Sequence, residues 1–150
     1  MDELFQTLNA AGVRYLLVGG QAMRLFGMPR FSMDWDFFIP PRDVDNFQRL
    51  NEAIGEDLDG LVEPLGPRGE NFIQTFQTSR GVLQFHLGLP GVPKFDEAER
   101  VATTRHTEKG TLVRCLSGPH LLLAKEAANR PQDQSDIEFL RELQKLGRLG

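Results

Sequence analysis

Leu4, Phe5, Leu8 and Ala11 recur at three- and four-residue spacing, and Gly12 follows them. That spacing predicts an amphipathic helix with glycine as its stop. The period then changes. Val13-Arg14-Tyr15-Leu16-Leu17-Val18 is almost continuously apolar, partly β-branched, and closed by Gly19-Gly20, the pattern of a strand covered on both faces. Residues 21–26 read as a short helix stopped by Gly27. Residues 34–39 (DWDFFI) read as a second strand, ended by Pro40-Pro41. Asp43 is a natural N-cap for a helix reaching residues 50–54, with Val44, Phe47, Leu50 and Ile54 on one face. Strands are expected near residues 61–65, 72–78 and 82–89, with Ser79-Arg80-Gly81 as a hairpin turn between the last two.

Pro90-Gly91-Val92-Pro93 interrupts this series. A short helix over 96–101 and a strand over 111–116 follow. Ser117 then caps a helix with Pro119 in its first turn, continuing over 121–129 until Pro131 breaks it. A last helix covers 132–146, with Ile137, Leu140, Leu143 and Leu146 at spacing three and Gly147 as stop. The sum is an α/β (α+β) fold: a central mixed β-sheet flanked by helices, closed by two C-terminal helices.

Composition narrows this picture. One domain suits 150 residues, with a core over about 1–116 and a helical pair over 117–147. The hydrophobic share of 40% and charged share of 25% are those of a folded chain. A formal charge of −4 argues against a general nucleic-acid coat and leaves room for a local basic site. The single cysteine, Cys115, excludes an internal disulfide framework and a Cys-rich zinc site; in its strand it reads as a packing residue. No membrane span and no secretion signal are expected, which points to a soluble, cytoplasmic protein.

Candidate chemistry concentrates between residues 19 and 36. Asp34 and Asp36 stand two apart on a predicted strand, so their carboxylates share one face, roughly 7 Å apart, while Trp35 and Phe37 face apolar packing. Two adjacent carboxylates call for a cation. Hard divalent ions accept one or two of them together with phosphate oxygens, as in phosphoryl-transfer sites. Gly19-Gly20 ends one strand and opens a helix, where glycine permits close approach and the helix start offers free N–H groups. Arg30 and Ser32 add a cation and a hydroxyl. Each feature alone has a plain reading, a turn or a solvated strand edge. The combination strand–Gly-Gly–short helix–Arg-x-Ser-x-Asp-x-Asp is more specific.

That combination resembles the nucleotidyltransferase fold superfamily, the DNA polymerase β-like group, and within it the small stand-alone domains and AbiEii-type toxins of bacterial abortive-infection systems. The residues carrying the likeness are Gly19, Gly20, Arg30, Ser32, Asp34 and Asp36. It extends to the C-terminus, where Lys125, Arg130, Asp133 and Asp136 match a Leu-x-x-Lys…Arg-Pro-Lys-Asp-x-x-Asp segment and Gln132 replaces a basic residue. Residues 45–75 match weakly. The resemblance implies a metal-dependent transfer of a nucleoside monophosphate from a nucleoside triphosphate to a hydroxyl of RNA, protein or a small molecule, within a toxin–antitoxin or phage-defence system that has a partner protein. It implies Mg²⁺ or Mn²⁺ on Asp34 and Asp36, and nucleotide contacts from Gly19, Gly20, Arg30, Ser32 and Lys125.

One departure stands out. The family places a third catalytic carboxylate on a later strand before Pro-Gly, and here His86 occupies that position, ahead of Pro90-Gly91. Neutral imidazole serves as a general base or a metal ligand. Alternatively, the substitution marks a nucleotidyltransferase-like binding module with impaired catalysis, or the strand register is shifted and His86 is an ordinary part-buried histidine. Lys125 has two readings too: contact with the triphosphate, or pairing with Asp133 and Asp136 across the break at Pro131. Asp133 and Asp136, three apart on one helix face, read as supports for neighbouring groups. Arg24 reads as surface, and His106 and His120 as incidental. A haloacid-dehalogenase-like phosphatase also uses Asp-x-Asp, but there the motif ends the first strand, whereas a Gly-Gly strand precedes it here.

Overall fold

The computed structural model describes residues 1–150. Helix α1 (Asp2–Ala10) leads into strand β1 (Leu16–Val18), helix α2 (Gly19–Leu25), strand β2 (Asp34–Phe38) and helix α3 (Val44–Leu58). Then come β3 (Ile73–Thr78), β4 (Gly81–His86), α4 (Phe95–Arg100), β5 (Thr103–His106) and β6 (Leu112–Cys115). Helix α5 (Gly118–Ala128), a 3-10 turn (Pro131–Asp133) and α6 (Gln134–Lys145) complete the chain. The six strands form one mixed sheet in the order β3-β4-β2-β1-β6-β5. β1 is antiparallel to β2 and parallel to β6, and β2 is parallel to β4. The α/β expectation holds, including the helical pair at the end.

One buried hydrophobic cluster joins residues from α1 through α6. Leu4, Phe5 and Leu8 supply the inner face of α1, and Phe47, Leu50, Ile54 and Leu58 that of α3. Phe5, Tyr15, Phe37 and Phe85 form a chain of aromatic contacts with centroids 5.4–6.2 Å apart, a geometry that adds to plain area burial. Val44 departs from the predicted face: it begins α3 and is exposed. Asp43 caps that helix, accepting from the Asn46 N–H at 3.1 Å, and Ser117 caps α5 by accepting from the His120 N–H. The α6 stripe is shorter than its spacing suggests, since Ile137 and Leu140 are buried but Leu146 is exposed.

Two differences from the sequence reading share one cause: a side chain takes the backbone groups that a ladder would need. Residues 13–15 do not extend β1, because the Asn46 amide accepts from the Arg14 N–H and donates to the Arg14 carbonyl. Residues 61–65 are not a strand. Asn51 brackets Val62 in the same way at 2.9 Å, and Gln74 accepts from the Glu63 N–H. Asparagine and glutamine amides carry both donor and acceptor, so one side chain replaces one ladder rung. Conversely, β5 escaped prediction because Thr-Thr-Arg-His shows no apolar alternation; it is an edge strand paired only with β6. Cys115 is fully buried in β6, and burial pushes its thiol up to about 12, which makes it inert packing, as expected.

Candidate active site

The antiparallel pairing of β1 with β2 sets the site. Val18 lies opposite Asp36, so the turn after β1 arrives beside the carboxylates that open β2. Gly19 has φ +70°, a left-handed conformation in which glycine alone is unstrained. A Cβ on Gly19 would lie 2.5 Å from Oδ2 of Asp36. A Cβ on Gly20 would lie 2.8 Å from both Cβ and Oγ of Ser32 and 3.2 Å from the Arg30 guanidinium carbon. The glycine pair is therefore the surface against which Asp36, Ser32 and Arg30 are packed. Gly20→Ala is expected to displace Ser32 and cost on the order of 1–3 kcal/mol, readable in thermal unfolding, because overpacking a close contact forces its neighbours aside.

Gln21, buried at the start of α2, donates from Nε2 to the Ser32 carbonyl at 2.7 Å and ties the loop before β2 to the glycine turn. Sequence reasoning did not single it out; a polar residue inside an apolar helix face was its signal. Arg24 is exposed and bonds Gln21, in keeping with a surface role.

Asp34 and Asp36 fall on the same side of β2. Asp34 is exposed and makes no ion pair, whereas Asp36 is largely shielded. The shifted-register reading of His86 is ruled out. β4 runs parallel to β2 with His86 beside Phe38, and the His86 Nε2 lies 2.9 Å from Asp36 Oδ1. A carboxylate only accepts, so Nε2 is the donor, and in the neutral ring Nδ1 is then the acceptor.

A second group of charges meets the first from the C-terminal helices. Arg30 pairs with Asp136, which also takes Lys125 at 2.9 Å. Lys125 lies 3.4 Å from Asp133, and Arg130 donates to Asp133 from Nε at 2.8 Å and from its backbone N–H at 3.0 Å. Asp133 and Asp136 are each 1% exposed. The Arg130 bonds hold the Asp133 carboxyl down at about 2. In return Arg130 is held charged above its ordinary value by Asp133, with the fields of Asp36 and Asp136 adding to it. Arg130 thus belongs to the site, although the sequence reading gave it only a motif position. Of the two readings of Lys125, the ion pairs with Asp133 and Asp136 are present, and both acids act as supports.

Three cations, Arg30, Lys125 and Arg130, face four carboxylates, so the group is one positive charge short before any ligand arrives. Asp34 is the acid without a partner. No three Asp, Glu, His or Cys side chains converge into a closed metal cage. Two carboxylates on one strand face, with an imidazole beside one of them, fit an ion that takes its remaining ligands from phosphate and water; Mg²⁺ does so, and Mn²⁺ also tolerates the imidazole. His106 and His120 lie outside this arrangement.

No family model matches the sequence, and no curated protein matches it. Among solved structures the chain is similar to an antigenic nucleotidyltransferase-like protein from Paracoccidioides brasiliensis, with a TM-score of 0.54 and 19% identity, over 95% of this chain and 73% of that one. The fold is accordingly nucleotidyltransferase-like. No helix is long and apolar enough to cross a membrane.

Proposed function

We propose that the chain is a metal-dependent nucleotidyltransferase, moving a nucleoside monophosphate from a nucleoside triphosphate to a hydroxyl acceptor. The observation carrying this reading is the packing of Asp36 directly onto Gly19, with an unpaired Asp34 on the same face and three cations alongside. In this reading Gly19 and Gly20 let the triphosphate approach the backbone closely, and Ser32 donates its hydroxyl. Arg30 and Arg130 face the phosphate oxygens, and Lys125 holds the acids that orient them. Mg²⁺ or Mn²⁺ held by Asp34 and Asp36 would offset the charge of the triphosphate and of the departing pyrophosphate. The acceptor oxygen attacks the α-phosphorus, its bond to that phosphorus forms as the bond to pyrophosphate breaks, and the hydroxyl proton passes to Nδ1 of His86.

His86 supports a second reading, a nucleotide-binding module with impaired catalysis, because its bond to Asp36 takes up an oxygen that a metal would use. Transfer of label from α-labelled ATP, GTP, CTP and UTP to RNA, protein and small-molecule acceptors separates the two. Incorporation by wild type that falls in His86→Ala supports the transferase. Nucleotide binding without incorporation, with incorporation gained in His86→Asp, supports the impaired module. A place beside a partner protein in a toxin–antitoxin or defence system is part of the same proposal. Its support is the sequence resemblance, and a small partner gene transcribed with this one is its test.

A further inference from the structure

The parallel register of β2 and β4 pairs Asp34 with Val82, Asp36 with Gln84 and Phe38 with His86. Residues directly opposite on neighbouring strands share a face of the sheet. Gln84 therefore stands on the face that carries the two acids, with its Cα one strand spacing, roughly 4.8 Å, from that of Asp36. Asp34, two residues along the same strand, is farther from Asp36, at roughly 7 Å. The other strand neighbours of the acids are apolar: Asp36 faces Val18 on β1, and Asp34 faces Val82 on β4. On the flanking strands, the polar side chains of this face are Gln84 and His86. They are engaged differently. His86 is turned onto Oδ1 of Asp36. Gln84 is half-buried and donates from Nε2 to Oγ1 of Thr75, its opposite residue on β3, at 3.4 Å. That bond commits the amide nitrogen to β3 and leaves Oε1 as the unengaged acceptor of the side chain.

Resting on the metal-dependent reading above, we propose that Oε1 of Gln84 is the third protein oxygen of the metal site, beside the carboxylates of Asp34 and Asp36. Hard divalent ions accept amide carbonyls as well as carboxylates. The donor is neutral, so the two acids only balance the charge of the ion. Such a site holds the bare ion weakly and gains it together with an anionic ligand such as triphosphate. The assignment also separates two tasks that the sequence reading laid on His86. Gln84 supplies a ligand to the metal, while His86 keeps its bond to Asp36 and its Nδ1 stays available to the acceptor proton.

The test is electron paramagnetic resonance of free Mn²⁺ titrated with the full chain, which reads bound metal without any turnover. Asp34→Ala/Asp36→Ala sets the background, and wild type is expected to bind Mn²⁺ above it. Gln84→Leu is expected to weaken that binding at least fivefold. Gln84→Glu, which keeps the shape and makes the oxygen anionic, is expected to tighten it at least tenfold. Gln77→Leu removes an amide from the same face one strand farther out, opposite Val82, and is expected to leave the affinity within about twofold. Circular dichroism reports whether each variant is folded. The proposal is overturned if Gln84→Leu binds like wild type or Gln84→Glu fails to bind more tightly, since the amide then serves only Thr75. It is also overturned if Gln77→Leu weakens binding as much as Gln84→Leu does. Binding by wild type that the Gln84 variants do not alter leaves the metal-dependent reading standing without this ligand. If wild type does not exceed the background, that reading itself fails and takes the assignment with it.

Discussion

Asp34→Ala/Asp36→Ala is expected to abolish nucleotidyl transfer, a loss on the order of 10³-fold or more, while the protein stays folded. The two halves of that expectation have separate grounds. Asp34 is exposed and unpaired, and the only hydrogen bond Asp36 makes is with His86. Removing both therefore sacrifices about 1 kcal/mol of native interaction. In the proposed transfer the same two groups would hold the metal ion that offsets the charge of the triphosphate and of the departing pyrophosphate, and Asp34 has no ion-pair partner that could substitute for it. Label incorporation measures the first half; thermal unfolding followed by circular dichroism measures the second. A variant that retains transfer would place the reaction elsewhere.

Asp136→Ala is expected to have the opposite profile: a large loss of stability, about 3–5 kcal/mol, with loss of activity as a consequence. Asp136 is nearly inaccessible and takes both Arg30 and Lys125. Truncating it leaves a buried ammonium whose remaining partner is Asp133, at the longer distance of 3.4 Å. The compensating variant Lys125→Met/Asp136→Leu removes both charges together, and is expected to recover most of the stability and none of the activity. Denaturant unfolding of the three proteins decides this; equal destabilisation in the single and double variants would show that shape, not charge, is what the pair supplies.

The same network makes an acid-stability prediction. Asp133 is held at about 2, against an ordinary 3.8, by its bonds to Arg130. A carboxyl whose folded value is depressed contributes stability above its unfolded value and loses it as pH falls through the folded one. The contribution, about 2 kcal/mol, is present in full above pH ~4 and is lost progressively between pH ~4 and ~2. Asp133→Asn should be less stable than wild type at pH 7, and the difference should shrink toward pH 2.

How much of this was legible in the sequence varies with the kind of interaction involved. The strand carrying Asp34 and Asp36, the glycine turn before it and the Ser117 cap are local patterns, and the structure follows them. What the pattern could not carry was long-range substitution of side chains for backbone partners. Asn46 and Asn51 take the rungs that residues 13–15 and 61–65 would otherwise offer to a sheet, and neither asparagine differs in sequence from a solvated one. The site divides in the same way. Period-two alternation places the two acids on one face, but the meeting of Arg30 with Asp136, 106 positions away, depends on how α6 docks. Arg130 and Gln21 went unassigned because their bonds, to Asp133 and to the Ser32 carbonyl, leave no mark on hydrophobic periodicity. The β2–β4 register put the His86 ring on Asp36 and removed the shifted-register reading, leaving the base-or-ligand and impaired-module readings.

The most direct test of the account is calorimetric titration of ATP into wild type and into Asp34→Ala/Asp36→Ala, with and without Mg²⁺. The account predicts that wild type binds ATP in a Mg²⁺-dependent manner and that the double variant loses at least tenfold in affinity and all of the metal dependence. Equal affinity in the two proteins, or binding indifferent to the metal, would contradict it.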